Sequence, residues 1–508
     1  MTKKKKEVKA PTKIESIVIR LMIIIGVLSI INFLYFFYKP DFKGNTLLYI
    51  FLSILIFYGI LKKLYLWYHY FSVSVPKKLP LEKEYKVDIL TTYFPGEPYE
   101  MTITTLKAIQ NISYPHTTYL CDEANDLFLK QECEKLGVIH VTRSNKINAK
   151  AGNINNALKN AKGEICLILD PDHIPKPNFL DEVLPHFADE KVGFVQVVQA
   201  YYNNHETLVA RGAAEQTFHF YGPMMMGMNT YGTVNAIGAN CTFRRSALDS
   251  IGGHAPGLAE DMHTAMLLHS KGWKSIYVPK IVAKGMVPVD LTSYYKQQLK
   301  WSRGTFELLY KVYPKIFKKL TTAQKIHYAL LPLHYLIGFI YLISFLIPIL
   351  SLFMSEMPWT GNFLYFIIIS IPVYMSSLMI RTYIQKWVIN RRERGFHVIG
   401  GILQIITWWV YSIGVIYTFT RKKIPYLPTP KSEDKETNLV IVIPNICIGV
   451  LSIVAIIYGL SIDLTPFSLI MAFFALLNVI FMFTSVYAAF KLTTVSYTHL
   501  TLPTILLV

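Results

Sequence analysis

Long apolar runs occupy both ends of the chain, and a segment of mixed polarity separates them. Residues 17–38 form an apolar stretch too long for the core of a signal peptide, and a short loop returns the chain through residues 46–61. Both basic ends of this hairpin lie on one side of the membrane, which the positive-inside rule identifies as cytoplasmic. The pattern predicts a basic cytoplasmic N-terminus over 1–16 and a transmembrane hairpin within 17–75.

Four more apolar runs follow residue 324, and each is long enough to cross about 30 Å of hydrocarbon at ~1.5 Å per residue. They pair into two hairpins, 327–353 with 362–383 and 439–460 with 466–490. The corresponding predicted regions are 324–384 and 439–491. Residues 492–508 differ in character from everything before them, so a non-native origin stays open and we predict no function for them. We also expect no further regulatory domain after the last span.

A further apolar run, residues 397–420, has two interpretations. Basic clusters flank both of its ends, so a spanning helix would put one cluster outside and invert the last hairpin. A helix lying in the membrane interface keeps both clusters cytoplasmic, and Trp408 with Trp409 suits that depth. We therefore expect six spans, with an interfacial helix and a loop over 385–438, and keep seven spans as the alternative.

Between the two apolar blocks, residues 76–323 alternate short β-rich runs with helical segments. The predicted strands are 87–93, 118–121, 138–143, 165–169 and 194–198. Such alternation predicts an α/β domain with a mostly parallel sheet, and ligands of such sheets bind at the carboxyl ends of the strands. Asp122, Arg143 and Asp170 are predicted to lie at such ends.

Net charge and cysteine usage bear on the class of protein. The formal charge is +18, but Lys and Arg cluster beside the apolar runs, as is expected for cytoplasmic loops, so we expect no nucleic-acid partner. The five cysteines show no paired spacing, which indicates reduced thiols rather than a disulfide framework. The 52% hydrophobic fraction agrees with an integral membrane protein.

Two carboxylates follow the apolar run 165–169. Asp170 and Asp172 are separated by one residue, and at a strand end they can together ligate Mg²⁺ or Mn²⁺, which would neutralise a nucleotide diphosphate. A solvated turn is the alternative interpretation. The position directly after a buried strand favours the metal site.

A second acidic pair, Glu260 and Asp261, begins a predicted helix. Acidic residues at a helix start are favourable in themselves, so an N-terminal capping role is the alternative. A general base for a sugar hydroxyl must be a carboxylate held near the acceptor, with a pKa tuned by burial. We predict that Asp261 is that base.

A polar and aromatic cluster precedes the second apolar block. A tryptophan face suits the apolar CH face of a pyranose, a lysine can pair with departing phosphate, and glutamines can hydrogen-bond hydroxyls. The alternative is an amphipathic interfacial helix anchored by the tryptophan. The members are Gln297, Gln298, Lys300 and Trp301.

Taken in order, these signals resemble the D, DxD, ED and QxxxW set of the processive family 2 glycosyltransferases, and most closely that of bacterial cellulose synthase catalytic subunits. The resemblance covers nearly the whole chain. It implies a GT-A-type nucleotide-sugar transferase domain inserted between transmembrane helical hairpins. It also implies that Asp261 is the catalytic base, with Glu260 beside it, and that Trp301 stacks on the terminal acceptor sugar.

The resemblance assigns further residues to the donor. One strand-end motif is similar to the one that holds the uridine, a later aspartate to the one that contacts the nucleotide, and a lysine to the one that approaches the sugar and phosphates. A late loop is similar to the gating loop that closes over the nucleotide. These residues are Thr92, Tyr93 and Glu97 for the uridine, then Asp122, Lys150 and Asp170, and Tyr426, Thr429 and Lys431 in the gating loop.

The chain also departs from the family pattern. Lys300 stands where the family usually has arginine, so a bidentate phosphate grip becomes a point charge. Ala259 replaces the usual threonine before the acidic pair, and Ile237 replaces a cysteine of the acceptor site. Tyr426 and Pro428 replace phenylalanine and valine in the gating loop. These changes weaken the identification of the product as cellulose.

The sequence therefore predicts an inverting transferase in the plasma membrane, with a cytoplasmic catalytic domain, that polymerises a β-linked and cellulose-like polysaccharide from a UDP-sugar. Its expected partners are the donor, Mg²⁺ or Mn²⁺, the growing polysaccharide, the bilayer and accessory export subunits. One alternative is a non-processive transferase acting on a lipid carrier, or a synthase of poly-N-acetylglucosamine, hyaluronan or mannan. Another is a transporter or membrane scaffold that only binds nucleotide.

Overall fold

The computed structural model describes residues 7–81, 83–422, 424 and 439–490. The gating-loop residues Tyr426, Thr429 and Lys431 therefore lie outside the described residues. So do the last residues of the chain, from 491 onward.

The described residues fold into an α/β domain between helical blocks. The helices are α1 Lys13–Phe37, α2 Thr46–Tyr70, α3 Tyr99–Gln110, α4 Leu127–Leu136, α5 Ala149–Leu158, α6 Phe179–Val183, α7 Leu208–Glu215, α8 Met225–Tyr231, α9 Arg245–Asp249, α10 Glu260–Ser270, α11 Leu291–Lys311, α12 Tyr313–Ile316, α13 Thr322–Leu330, α14 Ile337–Met354, α15 Phe363–Ile384, α16 Val398–Ile406, α17 Trp408–Phe419, α18 Ile443–Ile462 and α19 Pro466–Phe490. The strands are β1 Val87–Tyr93, β2 Thr117–Asp122, β3 Ile139–Thr142, β4 Ile165–Leu169, β5 Ile174–Pro175, β6 Val192–Val197, β7 Cys241–Arg244, β8 Lys274–Val278 and β9 Ala283–Lys284.

A seven-stranded sheet forms the centre of the α/β domain, in the order β3-β2-β1-β4-β7-β6-β8. The neighbours β3, β2, β1 and β4 run parallel, whereas β7 is antiparallel to both β4 and β6. Residues of β1 and β4 such as Ile89, Leu167 and Leu169 are fully buried because helices cover the sheet. The predicted α/β sheet is confirmed, and β7 is the antiparallel element that the alternation did not reveal.

Among the described residues, six helical stretches are long and apolar enough to cross a membrane. They are Lys13–Phe37, Thr46–Tyr70, Thr322–Met354, Phe363–Trp387, Val440–Ile462 and Pro466–Ala489. The predicted spans are therefore present as helices. Helices α18 and α19 pack on each other, whereas α1 packs chiefly on α15, and α14 packs on α2, α17, α18 and α19. Helix α2 runs nine residues beyond the predicted end at Leu61, because Tyr65, Trp67 and Tyr70 are buried and extend the core of the α/β domain.

The apolar run 397–420 is not one continuous helix, so the expected interfacial helix is corrected to two. Helices α16 and α17 meet at Thr407 with a bend of 51°. Asn445 stabilises the break, because its Nδ2 donates to the Ile406 carbonyl at 2.9 Å and its Oδ1 accepts from the Trp408 indole at 2.9 Å. Trp408 is buried by these contacts. Counting the bent pair as one span would give seven.

Helices α16 and α17 pack against the α/β domain rather than standing apart from it. Helix α16 lies on α7, where the Gly400 amide donates to Glu215 Oε2 at 2.9 Å. Helix α17 lies along α11, where the Ser302 hydroxyl donates to the Tyr411 carbonyl at 3.0 Å. These contacts fix α11, which carries the glutamine–tryptophan cluster, between the sheet domain and the membrane helices.

Candidate active site

One large cavity, of about 970 Å³, opens at the carboxyl ends of β1 and β4. It brings together almost all of the predicted site residues that the structure describes. Those lining it are Thr92, Tyr93, Glu97, Lys150, Asp170, Asp172, Glu260, Asp261, Gln297, Gln298, Lys300 and Trp301. Segments separated by more than two hundred positions thus meet at one site, because adjacent parallel strands end at the same edge of the sheet.

The strand-end motif after β1 forms a tight turn at the cavity wall. The Phe94 amide donates to Glu97 Oε2 at 2.9 Å, and the Tyr93 hydroxyl donates to the Glu97 carbonyl at 3.2 Å. Gly96 allows this turn because its φ is +93°. The turn presents Thr92 and Tyr93 to the cavity beside the end of β4.

The Asp-x-Asp pair is held in a defined geometry. Asp172 is only 2% exposed, and its Oδ2 accepts from the Met286 amide at 2.8 Å. Its Oδ1 lies 3.1 Å from His173 Nδ1, and the other ring nitrogen of His173 lies 2.6 Å from Gln199 Nε2. Both ring nitrogens are engaged, so His173 orients the Asp172 carboxylate.

The chemistry of this donor set fits a divalent cation. One ligand atom each from Asp170, Asp172 and His173 lies within 4.8 Å of the others. Carboxylate oxygens suit Mg²⁺ and Mn²⁺, and an imidazole is compatible with Mn²⁺ but is not a preferred ligand of Mg²⁺. Asp170 and Asp172 are therefore the residues that would hold the cation, with His173 supporting them.

Lys150 connects the acid pair to the region of the second acidic motif. Its Nζ donates to Asp170 Oδ1 at 2.5 Å and to the Gly238 carbonyl at 2.6 Å. Burial lowers the pKa of Lys150, but the carboxylates of Asp170, Glu260 and Asp261 outweigh it, so the pKa is raised and the ammonium is retained. The Lys150 ammonium is therefore a fixed positive charge between the two acidic motifs.

Gly238 explains how closely these groups approach. Its φ is +77°, and a Cβ added there would lie 3.2 Å from Asp261 Oδ2 and 3.7 Å from Lys150 Nζ. The loop after Ile237 is held by Gln196, whose side chain bonds the Ile237 amide and the carbonyls of Ala239 and Asn240. Asp261 and the Lys150–Asp170 pair therefore face the same loop of the same cavity.

Asp261 lies in the first turn of α10, and its electrostatic surroundings differ from those of an ordinary helix cap. Burial and the neighbouring charge of Glu260 raise its pKa to about 7, while Lys150 and Lys300 act in the opposite direction. Its Oδ1 accepts from the Met262 amide at 2.7 Å, which fixes the carboxylate. A carboxylate with a pKa near neutrality can accept a proton at physiological pH.

The glutamine–tryptophan cluster on α11 lines the cavity rather than an exposed helix surface. Gln298 is buried, and Trp301 is 37% exposed, so its indole has a free face within the cavity wall. Burial lowers the pKa of Lys300, and Glu260, Asp170 and Asp261 partly offset this effect. The arrangement agrees with sugar and phosphate contacts for this motif more closely than with membrane anchoring.

Among the predicted site residues that the structure describes, Asp122 is the one that does not line the cavity. It is 1% exposed, and its carboxylate accepts from the amides of Ala124 and Asp126 and lies 2.9 Å from His140 Nε2. Its neighbour Glu123 lines the cavity instead and pairs with Arg143 at 2.8 Å. Glu123 was not predicted from the sequence, nor were the residues behind the acid pair, His173 and Gln199.

Comparison with known proteins identifies the class. Residues 165–380, which contain both acidic motifs and the glutamine–tryptophan cluster, match glycosyl transferase family group 2. The chain thus carries a domain of that family, and the predicted membership of family 2 is confirmed for this part of the chain.

Cellulose synthases are among the curated relatives of this chain. The UDP-forming cellulose synthase catalytic subunit of Xanthomonas axonopodis pv. citri is 30% identical over 286 residues, covering 53% of this chain and 39% of that protein. Its counterpart in Pseudomonas fluorescens is 28% identical over 311 residues, covering 59% of this chain and 42% of that protein. A UDP-forming cellulose synthase catalytic subunit from Dictyostelium discoideum is 38% identical over 167 residues, covering 31% of this chain and 16% of that protein. The matches thus span less than half the length of each of these relatives.

The solved structures that this chain resembles are less similar to it in sequence than these relatives are. The mannosyltransferase PcManGT from Pyrobaculum calidifontis, solved with GDP-Man and Mn²⁺, is 16% identical with a TM-score of 0.49 and covers 74% of this chain and 100% of that one. Glucosyl-3-phosphoglycerate synthase from Mycobacterium tuberculosis, solved with Mn²⁺, UDP-glucose and phosphoglyceric acid, is 14% identical with a TM-score of 0.33 and covers 44% and 80%.

Proposed function

We propose that this protein is a membrane-embedded, processive, inverting glycosyltransferase that polymerises a β-linked, cellulose-like glucan from a UDP-sugar and moves it across the membrane. One observation carries the proposal. The cavity that holds the acidic motifs and Trp301 is also lined by residues of α2, of the 3-10 helix Pro332–Leu336 and of α15. A reaction site that is continuous with membrane helices can pass its product directly to them.

Donor binding uses the strand-end side of the cavity. Thr92, Tyr93 and Glu97 lie where a nucleoside would meet the end of β1, and Asp170 and Asp172 would hold Mg²⁺ or Mn²⁺. That cation supplies countercharge to the diphosphate. Lys300 and Lys150 add positive charge around the departing nucleotide.

Transfer depends on Asp261. Its carboxylate accepts the proton of an acceptor hydroxyl, and the hydroxyl oxygen attacks the anomeric carbon from the face opposite the nucleotide. The bond to the diphosphate breaks with its electron pair, so the configuration inverts and a β-linkage forms from an α-linked donor. Trp301 presents its ring to the acceptor sugar, and Gln297 and Gln298 offer hydrogen bonds to hydroxyls.

The pH dependence of activity tests the role of Asp261. We expect kcat/KM to fall about tenfold per pH unit below an apparent pKa near 7, because protonation removes the base. The pKa in the folded protein lies above its ordinary value of 3.8, so this group's contribution to stability is greatest at low pH and is lost as pH rises from about 4 to 7. Initial rates and thermal unfolding between pH 5.5 and 8.5 separate these trends; a flat rate profile would contradict the assignment.

Trp301→Ala tests acceptor stacking. Loss of the indole removes an aromatic surface worth about 1 kcal/mol, so we expect roughly fivefold weaker acceptor retention and shorter products. Release of UDP continues because the donor side is untouched. Product length is measured by size-exclusion chromatography of radiolabelled polymer, with Trp273→Phe, outside the cavity, as the control. Unchanged product length would remove Trp301 from the acceptor site.

The reaction itself is tested with a donor panel. Proteoliposomes containing the protein are given UDP- and GDP-sugars with Mg²⁺ or Mn²⁺, and the product is digested with linkage-specific hydrolases. We expect UDP release with one UDP-sugar and a product cleaved by a β-glucanase. Transfer of one sugar to a lipid would instead support the non-processive alternative. A product resistant to β-glucanase but cleaved by another glycanase would reassign the polymer.

A further inference from the structure

The cavity changes its charge along its length. Its α/β-domain part carries seven carboxylates and two lysines, whereas the part lined by α2, residues 330–335, α15 and residues 396–404 contributes only basic and neutral residues among those the structure describes. One of the seven, Glu215, lies at the boundary between the two parts, where it accepts from the Gly400 amide at 2.9 Å. We call this second part the membrane half. Its charged residues are Lys62, Lys63 and Arg381, and it also contains His334 and His397.

Lys62 faces the cavity by helix geometry. Tyr58, Leu61, Lys62, Tyr65 and Leu66 all line it, and their spacing of three and four residues puts them on one face of α2. The Tyr58 hydroxyl donates to the carbonyls of Leu333 and His334 at 3.2 and 3.1 Å, which fixes this face against the 3-10 helix.

Arg381 is oriented in the same way on the other side of the membrane half. Ser377, Ile380 and Arg381 line the cavity from one face of α15, and Arg381 Nη2 donates to the Phe396 carbonyl. Within the part of the chain that the structure describes, no ion pair joins Lys62, Lys63 or Arg381 to a carboxylate. Lys62 and Lys63 are half-buried and Arg381 is exposed, so all three are accessible to an anion. In membrane proteins such charges mark binding or transport paths.

The rest of the lining shows which anion fits. Leu61, Leu66, Leu330, Leu331 and Ile380 give the membrane half aliphatic surface beside its cations, and Tyr65, Trp67, Tyr70 and Tyr335 add aromatic surface. A phosphate attached to a hydrocarbon chain matches both features, whereas a neutral glucan supplies no countercharge.

The direction of transfer places this anion on the acceptor. The acceptor hydroxyl that reacts lies at Asp261, so the anomeric end of the acceptor points away from it, past Trp301. The geometry points to a lipid phosphate bound by Lys62, Lys63 and Arg381, attached to the anomeric end of the acceptor on which synthesis begins. This inference rests on the proposed transfer reaction for its orientation, and its test is independent of catalysis.

Binding in nanodiscs of phosphatidylcholine tests the inference without any donor. Native mass spectrometry of the full chain measures occupancy by decaprenyl phosphate and by decaprenol, its uncharged counterpart. We expect the phosphate to bind at least about tenfold more tightly, and the K62Q/R381Q variant to reduce this preference to within about twofold. The control K318Q/K319Q, which removes two exposed lysines of the 3-10 helix Phe317–Lys319, keeps the preference.

A charge-conserving variant, a folding check and a competing ligand complete the experiment. The K62R/R381K variant restores the preference if charge is what matters, and binding of UDP with Mn²⁺ shows that each variant is folded. Equal binding of the phosphate and the alcohol by the wild type, or an unchanged preference in K62Q/R381Q, overturns the inference. Tighter binding of a glucuronate-terminated cello-oligosaccharide than of decaprenyl phosphate also overturns it, because that result assigns the cations to an acidic polymer.

Discussion

Asp261→Asn is expected to lower the rate of sugar transfer by about 10² to 10⁴-fold, which is the contribution typical of a general base. Asparagine is nearly isosteric and can still accept from the Met262 amide, so the first turn of α10 keeps its hydrogen bond. The substitution removes only the capacity to take a proton. The rate is measured as UDP release together with incorporation of labelled sugar into polymer.

Two comparisons separate this effect from damage to the fold. Asp249→Asn removes an exposed carboxylate of the same domain, outside the cavity, and is expected to retain wild-type activity. Binding of UDP with Mn²⁺ to Asp261→Asn is expected to stay within about twofold of wild type. Polymer synthesis by Asp261→Asn at a near wild-type rate, with normal protein level, would show that another group is the base.

Asp172→Asn is expected to weaken divalent-cation binding by at least about 10²-fold and to reduce transfer correspondingly at limiting metal. The substituted amide removes one negative charge from the pair and disturbs the contact with His173, which lies 3.1 Å away. Activity is titrated with Mn²⁺ after chelation by EDTA, and the concentration giving half-maximal rate is compared with wild type. Saturating Mn²⁺ is expected to restore only part of the rate.

The matched control is Asp181→Asn on α6, an exposed carboxylate outside the cavity. Its Mn²⁺ titration should coincide with that of the wild type. Wild-type activity that persists after complete chelation, or an Asp172→Asn titration curve identical to wild type, would show that the pair does not hold a required metal.

The sheet was predictable where local pattern determines the structure. Strands β1 and β4 match their predicted bounds, because each is a short run of β-branched and apolar residues with a turn signal after it. The break between α16 and α17 was not predictable, since both helices are apolar and the break depends on Asn445, which is distant in sequence. The extension of α2 likewise depends on aromatic residues that pack on the α/β domain.

The site was predictable at the level of motifs and less so at the level of contacts. Asp170, Asp172 and Asp261 line one cavity as expected, because strand ends and helix starts converge at the edge of the sheet. Asp122 is turned away to accept from Ala124, and Glu123 takes its place on the cavity wall. Successive side chains of a strand point to opposite faces, so only one of two adjacent acids can face the ligand. Which one does so depends on the residue at which β2 ends.

The product made in proteoliposomes tests the central claim most directly. Protein reconstituted by itself is given radiolabelled UDP-glucose and Mn²⁺, and the labelled product is sized before and after β-glucanase digestion. We predict a polymer of many sugars that the hydrolase degrades, in amounts that match the UDP released, and no such polymer from Asp261→Asn. UDP release no greater than that of Asp261→Asn with every donor, or a product that never exceeds one added sugar, would contradict the proposed function.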